Sequence, residues 1–333
     1  MQGLEKLMLE RATALLQSGE VDRVIGWKKG ESYYDNSPAT FTKDNLEGFV
    51  YNSFCGANLS KYLVAESKKE GKMLVFLKPC DTYSFNQLLS EHRIEREKFH
   101  VIGIGCNGHL DINKVYAEGV EGILSMTEDE DNLIVETVYG EKRVEKEKVL
   151  LVKCETCKSK EFAVADETLV IGEMKPAKSN RFDVVKELEA MTEEQRYAFW
   201  KAQLSKCIRC NACRNVCPAC TCINCVFDNN ASGIAGKANS DEFEEKLYHI
   251  VRAYHVAGRC TDCGECSRVC PQNIPLHLIN RKFIKDINEN YGEYQAGAEV
   301  NARNPLVNYT KTNGCSVFIV SVVYFACFFN GKI

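Results

Sequence analysis

The chain has 333 residues, of which 45% are hydrophobic and 26% are charged. This balance is that of an ordinary globular protein, and the length is sufficient for two domains. The formal net charge is -4 and no block of basic residues occurs, which argues against a nucleic-acid-binding protein.

The 18 cysteines are the most informative part of the composition. Most of them are grouped in Cys-x2-Cys units, and the chain opens with an amphipathic helical pattern instead of a signal peptide. Thiols arranged in this way, without an export signal, indicate metal binding in a reducing cytoplasm and not a disulfide framework.

Residues 1–175 have the pattern of an α/β domain. The apolar positions predict helices over 1–17, over 59–69 and after Pro79, and a turn-rich patch at 36–38. They also predict strands over 21–27, 73–77, 101–104, 133–139 and 149–152.

Cysteines follow three of these predicted strands, namely Cys80, Cys106 and the pair Cys154 and Cys157. Loops at the carboxyl ends of strands hold the ligands of open α/β sheets, so we expect these four thiols to converge. Four thiolates fit one 4Fe–4S cluster, but the spacing leaves a zinc site or separate core cysteines open. We interpret Asp81 and Asp111, beside these loops, as turn or helix-cap residues.

Gly103, Gly105 and Gly108 match the dinucleotide-binding fingerprint Gly-x-Gly-x-x-Gly. The match occurs late in the domain, contains Cys106, and is not followed by an acidic residue at the end of a strand. We therefore interpret these glycines as residues that leave space around Cys106 and not as a phosphate-binding loop.

Residues 176–205 are predicted to be a helical connector. Thr192-Glu193-Glu194-Gln195 is a capping box, and the aromatic residues that follow it supply apolar anchors for a domain junction. The connector leads directly into the cysteine-rich region.

The same cysteine pattern occurs twice between residues 207 and 270. Each copy reads Cys-x2-Cys-x2-Cys-x3-Cys-Pro, as in bacterial two-cluster ferredoxins, where three thiolates hold one 4Fe–4S cluster and the fourth ligates the other. The pattern predicts one cluster on Cys207, Cys210, Cys213 and Cys270 and another on Cys260, Cys263, Cys266 and Cys217. Zinc also binds paired Cys-x2-Cys units but explains the repeated spacing poorly. We therefore expect a mainly α, ferredoxin-like domain over 206–292.

Two features in the last third of the chain have no assigned role. Cys220, Cys222 and Cys225 are not needed by a two-cluster ferredoxin, so a further cluster, a zinc site with a partner such as Cys55, or free thiols stay open. The tail, 293–333, contains an uncharged stretch over 315–329. As a helix it would be about 22 Å long, shorter than the roughly 30 Å hydrocarbon core, so we expect no membrane span. A docking strand for a partner subunit and an altered reading-frame end both stay open for this stretch.

Over roughly residues 10–290 the chain resembles the beta subunits of coenzyme F-420-reducing hydrogenases and dehydrogenases. The resemblance rests on short motifs in a shared order: Leu15-Leu16-x2-Gly19-x-Val21-Asp22, Pro79-Cys80-Asp81, Gly105-Cys106-x-Gly108, Cys154-x2-Cys157 with Ala165-Asp166 and Gly172, and the two cysteine repeats. The Pro-Cys-Asp form is nearer to the formate dehydrogenase branch.

This resemblance implies FAD in the α/β domain, without identifying its binding residues, and a third 4Fe–4S cluster on Cys80, Cys106, Cys154 and Cys157. It implies a catalytic formate dehydrogenase or hydrogenase subunit, or a heterodisulfide-reductase-like subunit, as partner. We therefore expect an electron-transfer subunit of an anaerobic cytoplasmic oxidoreductase. Two alternatives stay open: a flavin-free ferredoxin-type carrier, and the beta subunit of an anaerobic sulfite reductase or sulfhydrogenase.

Overall fold

The computed structural model describes residues 2–232 and 242–307, so the stretch 315–329 lies outside the described residues. The chain divides into two compact units, with the main boundary between Lys178 and Ser179. The short segment Asn86–Glu91 groups with the second unit, although the residues on both sides of it belong to the first. Among the described helices, none combines the length and the apolar character that a membrane span requires.

The main sheet of the first unit has six strands. They are β1 (Arg23–Lys29), β2 (Asn36–Phe41), β3 (Phe49–Val50), β4 (Met73–Leu77), β5 (Phe99–Ile104) and, much later in the chain, β9 (Glu167–Leu169). The order is β2-β1-β4-β5-β9, with β3 also paired to β1. β1, β4, β5 and β9 are parallel, whereas β2 and β3 run antiparallel to β1. β4 and β5 are buried along their whole length, as expected for parallel strands covered on both faces.

A smaller antiparallel sheet lies in the same unit. It consists of β6 (Ile123–Glu128), β7 (Asn132–Thr137) and β8 (Gly140–Glu145), in that order. Met126, Leu133, Val135 and Val144 supply its buried face and pack in one apolar cluster.

Five helices accompany these two sheets in the chain before Lys178. They are α1 (Gln2–Ser18), α2 (Leu63–Glu66), α3 (Pro79–Ser90), α4 (Ile112–Ala117) and α5 (Val152–Glu155).

The described regular elements of the second unit are helices. They are α6 (Asp183–Ala190), α7 (Glu193–Leu204), α8 (Ala212–Asn215), α9 (Glu242–Val256), α10 (Glu265–Arg268) and α11 (Leu276–Tyr291), with two short 3-10 turns after residue 225. The capping box predicted at Thr192 is confirmed, since Thr192 and Gln195 bond to each other's backbone N–H. Trp200 and Leu204 on α7 pack with Cys213, Tyr248 and Leu276, so helices of the 176–205 connector contribute to the core of this unit.

Three predictions of secondary structure are wrong. Residues 59–69 do not form one helix but a 3-10 turn, Ser60–Tyr62, and the single turn α2, because the polar run after Glu66 offers no apolar face to hold a longer one. Residues 149–152 are not a strand, since only one bridge, Leu110 to Leu150, forms there before α5 begins. The patch at 36–38 belongs to β2, where Pro38 is tolerated because β2 is an edge strand.

Candidate metal centres

The first cysteine set surrounds a cavity in the second unit. Cys207 follows the end of α7, Cys210 and Cys213 lie in the next loop and in α8, and Cys270 follows α10. All four line one cavity, together with Tyr248, His249 and Leu276. The structure thus brings together the four side chains predicted for one cluster, although their ligation of iron stays a prediction.

The thiols of this set lie close enough to influence one another. Burial is the largest cause that raises the pKa of Cys213, and the charges of Cys270 and Cys210 raise it further. Burial also raises the pKa of Cys207 to about 12, with contributions from Glu245 and Cys213. Thiolates in such a site need nearby positive charge, which iron would supply.

The second set consists of Cys217, Cys260, Cys263 and Cys266. Burial raises the pKa of Cys260, and Cys217 and Cys263 are among the charges that raise it further. The pKa of Cys266 is raised by burial and by the other three members of the set. Cys217 comes from the first repeat and its three neighbours from the second, so the two repeats exchange their fourth cysteines in space.

The loops of the two repeats share one backbone conformation. The residues just before and just after the middle cysteine have positive φ in both: Arg209 (49°) and Asn211 (61°) in the first, Asp262 (54°) and Gly264 (68°) in the second. Each loop then enters a four-residue helix that carries the third cysteine, α8 or α10. Left-handed conformations are costly for non-glycine residues, so the surrounding structure must hold these loops.

Buried ion pairs hold both loops. Arg209 Nε donates to Glu245 on α9 at 2.9 Å, and the two side chains are 0% and 5% exposed. At the equivalent position in the second loop, Asp262 accepts from Arg281 Nε on α11 at 2.8 Å, with side chains 1% and 2% exposed. The two pairs have opposite polarity, yet each fixes the residue that precedes the middle cysteine.

α9 presents one face to both cysteine sets. Tyr248 donates to Asn211 Oδ1 at 2.9 Å, and His249 lines the first cavity. Arg252 Nη2 donates to the carbonyl oxygen of Cys213 at 3.0 Å, and Val256 packs against Cys217. These positions recur every three or four residues, which places them on one side of a helix.

The third set lies in the first unit. Cys80 is in the first turn of α3, Cys106 follows β5, Cys154 is on α5 and Cys157 follows it. Burial raises the pKa of Cys154 to about 11 and also raises those of Cys80 and Cys106, and the charge of Cys157 acts on all three. The four side chains therefore converge, but Cys154 reaches the group from a helix and not, as predicted, from the end of a strand.

Lysines surround this set, and their positive charge favours thiolates. Lys160 Nζ donates to the carbonyl oxygen of Cys106 at 2.9 Å, and Lys153 Nζ donates to that of Gly56 at 2.7 Å. Lys78 is 1% exposed and pairs with Asp81 at 2.9 Å. Lys153 and Lys78 lower the pKa of Cys80, and Lys160 and Lys78 lower that of Cys106, although burial outweighs them in both cases.

Buried polar atoms without a hydrogen-bond partner among the described residues lie next to this set. Trp27 Nε1, Tyr51 Oη and His109 Nε2 are of this kind. The rings of Trp27 and Tyr51 are 5.2 Å apart, those of Tyr51 and His109 are 6.0 Å apart, and His109 N donates to Cys154 Sγ at 3.4 Å. Buried polar atoms of this kind call for a hydrogen-bond partner, which a bound cofactor or water would supply.

The glycines around Cys106 allow close packing. A Cβ at Gly103 would lie 2.8 Å from Phe162, and one at Gly108, whose φ is +110°, would lie 2.8 Å from Leu150 and 3.4 Å from Cys154 Cβ. Asp111 caps α4 by accepting from Asn113 N, which confirms its predicted role. Asp81, in the first turn of α3, instead forms the buried pair with Lys78 described above.

All three sets offer the donor atoms that a 4Fe–4S cluster needs, namely four thiolates each. In the part of the chain that the structure describes, no three His, Cys, Asp or Glu side chains form a group that could hold a metal ion. A cube of four irons is larger than one ion and spreads its ligands around its corners, as the first set is spread around its cavity. His249 also lines this cavity, and within the described ranges neither of its ring nitrogens has a hydrogen-bond partner. A group bound in the cavity would supply one.

Cys220, Cys222 and Cys225 have no assignment. Cys220 bonds to the Cys217 thiol, which is the largest cause of the raised pKa of Cys217. Cys222 is exposed, Cys225 is half-buried, and Cys55 is buried in the first unit. Nothing in the structure explains why the sequence carries these three.

Sequence reasoning missed the charged and polar residues that hold and face the cysteines. These are Arg209, Glu245, His249, Arg252, Asp262 and Arg281. One signal was present, because the residue before the middle cysteine is charged in both repeats. The partners on α9 and α11 lie far away in sequence, and no spacing rule identifies them.

Comparisons with known proteins agree with this geometry. The 4Fe-4S dicluster domain family matches residues 203–274. The F-420-dependent formate dehydrogenase subunit beta of Methanocaldococcus jannaschii is 24% identical over 355 aligned residues, which cover 89% of this chain and 92% of the relative. The subunit beta of F-420-dependent formate dehydrogenase 1 from Methanococcus maripaludis is 25% identical and covers 86% of this chain and 88% of the relative.

Among solved structures, a chain of the F-420-reducing [NiFe] hydrogenase complex from Methanosarcina barkeri matches 46% of this chain and 62% of its own length, with 16% identity and a TM-score of 0.33. The resemblance found in the sequence is thus confirmed by relatives that align along most of the chain. Over most of its length the chain is thus similar to the beta subunits of F-420-dependent formate dehydrogenases, and residues 203–274 in its second unit match the 4Fe-4S dicluster domain family.

Proposed function

We propose that the chain is the iron–sulfur electron-transfer subunit of a cytoplasmic, F-420-dependent oxidoreductase complex. One observation carries the proposal: Cys270 from the second repeat lines the same cavity as Cys207, Cys210 and Cys213 from the first. This exchange of the fourth cysteine is how two-cluster ferredoxins bind two neighbouring clusters. The two 4Fe–4S clusters of the second unit would then be held by the first and second cysteine sets.

The third set is proposed to hold a further 4Fe–4S cluster in the first unit. Cys80, Cys106, Cys154 and Cys157 supply four thiols, and Lys78, Lys153 and Lys160 supply positive charge that favours their ionised form. FAD is proposed to bind beside this set, where the polar atoms of Trp27, Tyr51 and His109 lack partners within the described residues. When bound, FAD would supply the exchange between a hydride and single electrons.

The chain's own residues have limited roles in this reaction. The cysteines hold the clusters, and the buried ion pairs on α9 and α11 fix the loops that carry them. The apolar core around Trp200 and Leu276 packs against Cys207, Cys213 and Cys270 of the first set. The protein thus positions the cofactors and adjusts their potentials, while the redox chemistry belongs to the cofactors.

The partner is proposed to be a catalytic formate dehydrogenase subunit, because the curated relatives are named as beta subunits of that enzyme. A hydrogenase subunit or a heterodisulfide-reductase-like subunit would use the same electron relay with a different donor or acceptor. Identification of the subunits that co-purify anaerobically distinguishes these three.

The proposal is tested on anaerobically purified protein by measuring iron, acid-labile sulfide and flavin. We expect about twelve irons per chain, four for each cysteine set, and one FAD. Cys210→Ser should lower the iron content, whereas Cys222→Ser, at an exposed cysteine outside the three sets, should leave it unchanged and serves as the matched control. A content of about eight irons per chain, together with a Cys80→Ser variant that keeps the iron content of the wild type, would refute the third cluster. Protein with iron but without FAD would show the flavin-free carrier instead.

A further inference from the structure

Arg252 is a buried cation between the two cysteine sets of the second unit. It lies on α9, and the residue is 3% exposed. Its Nη2 donates to the carbonyl oxygen of Cys213, a member of the first set, at 3.0 Å. One turn further along α9, Val256 packs against Cys217 of the second set, and the charges of Cys217, Cys220 and Cys266 act on the Arg252 guanidinium. One side chain therefore faces both sets.

A buried arginine is usually paired with a carboxylate, but within the described residues Arg252 is not. Among residues 2–232 and 242–307, no carboxylate forms an ion pair with it, and its Nε has no hydrogen-bond partner. The other buried arginines near the cysteines differ, since Arg209 pairs with Glu245 and Arg281 with Asp262. A buried charge left in this state costs several kcal/mol, so an anion is expected beside it.

The proposed clusters would provide that anion. A 4Fe–4S cluster held by four thiolates has a net negative charge, and reduction adds one more electron to it. A nearby fixed cation stabilises the reduced form more than the oxidised form, because the attraction grows with the negative charge. Burial makes the effect larger, since water screens the interaction poorly there.

We propose that Arg252 is the shared counter-cation of the two clusters and raises the reduction potential of both. The inference rests on the proposed function, since it requires both clusters to be present. Arg252 is a positioning and tuning residue in this role, and not a ligand. Because the same charge faces both sites, it shifts both potentials in the same direction, so that loss of the charge should lower the two together.

The test is a redox titration of the purified, cluster-loaded protein, followed by electron paramagnetic resonance. Arg252→Met removes the charge and keeps an apolar side chain of similar length, whereas Arg252→Lys keeps the charge. For Arg252→Met we expect the equilibrium constant for reduction of each cluster to fall about tenfold, which is a shift of about 59 mV for one electron. Arg252→Lys should restore most of the wild-type potential.

Arg196→Met is the matched control, because Arg196 is also buried but donates to the backbone carbonyls of Leu188, Glu189 and Met191. It should leave both potentials unchanged. Unchanged potentials in Arg252→Met with full iron content would overturn the inference while leaving the proposed function intact. If Arg252→Met loses its iron, full retention of iron in Arg252→Lys supports the proposed role of the charge. Loss of iron in both variants overturns the inference. Absence of iron from the wild type would refute the proposed function itself.

Discussion

Replacement of Asp262 by asparagine tests whether buried charge holds the second cysteine loop. Asp262 accepts from Arg281 Nε at 2.8 Å and from Arg181 Nη1 at 3.3 Å. Asparagine keeps the size of the side chain and also tolerates the left-handed backbone at this position, where φ is 54°. The change therefore removes the carboxylate charge that faces the Arg281 guanidinium, whose side chain is 2% exposed.

Breaking a buried pair in this way costs about 3–5 kcal/mol. For a unit of this size, such a loss lowers the melting temperature by about 10 °C or more. The assay is anaerobic thermal unfolding followed by circular dichroism, with iron content measured before each scan. Glu141→Gln serves as the control, because the Glu141–Arg143 pair is largely exposed and contributes little.

The double variant Asp262→Asn with Arg281→Met provides the sharper test. Removal of the stranded cation should recover part of the stability that Asp262→Asn loses, so the double variant should melt above the single one. A single variant that melts like the wild type, or a double variant that is less stable than the single one, would refute this account of the loop.

Three further changes test other parts of the structure. Trp200→Ala should cost about 3–5 kcal/mol in urea unfolding because its ring is 1% exposed in the core of the second unit, whereas Phe243→Ala, at a side chain 65% exposed, should have little effect. Gly108→Ala places a methyl group 2.8 Å from Leu150 at a backbone φ of +110° and should cost more than about 1 kcal/mol, with iron lost from the first unit alone; retention of all iron and stability would contradict this. Burial raises the pKa of Glu189, but its two lysine partners outweigh burial and lower it. These ion pairs therefore stabilise the fold fully above about pH 4.3, the pKa of an unfolded Glu, and this contribution is lost as the pH falls from there through the lowered pKa of the folded state. Glu189→Gln should be less stable than the wild type at pH 7, with a difference that narrows only as the pH falls below about 4; a difference independent of pH would contradict it.

Much of the fold could be predicted from local patterns. The apolar run Met73–Leu77 is β4 as expected, and the capping box at Thr192 begins α7. These predictions succeed because a buried parallel strand and a helix N-terminus are specified by neighbouring residues. The grouping of the cysteine repeats also follows from spacing, since the short loops leave few other arrangements.

The wrong predictions concern segments whose conformation is decided by distant partners. Val149 is apolar and its neighbour Leu150 bridges to Leu110, but no further strand is available there, so the chain continues into α5. β9 has three residues and was not predicted, because its place at the sheet edge depends on pairing with β5. Arg252 was missed for the same reason, as its surroundings form only when both repeats pack on α9.

The exchange of cysteines across α9 has a consequence for biogenesis. Each set of the second unit takes members from both sides of this helix, since Cys217 precedes it and joins Cys260, while Cys270 follows it and joins Cys207. On a ribosome, the second set is complete only when residue 266 has been made, and the first set only when residue 270 has been made. Iron delivered before residue 266 would meet at most three of the four thiols of either set. Cluster insertion into this unit must therefore follow synthesis of both cysteine repeats and of the helix between them.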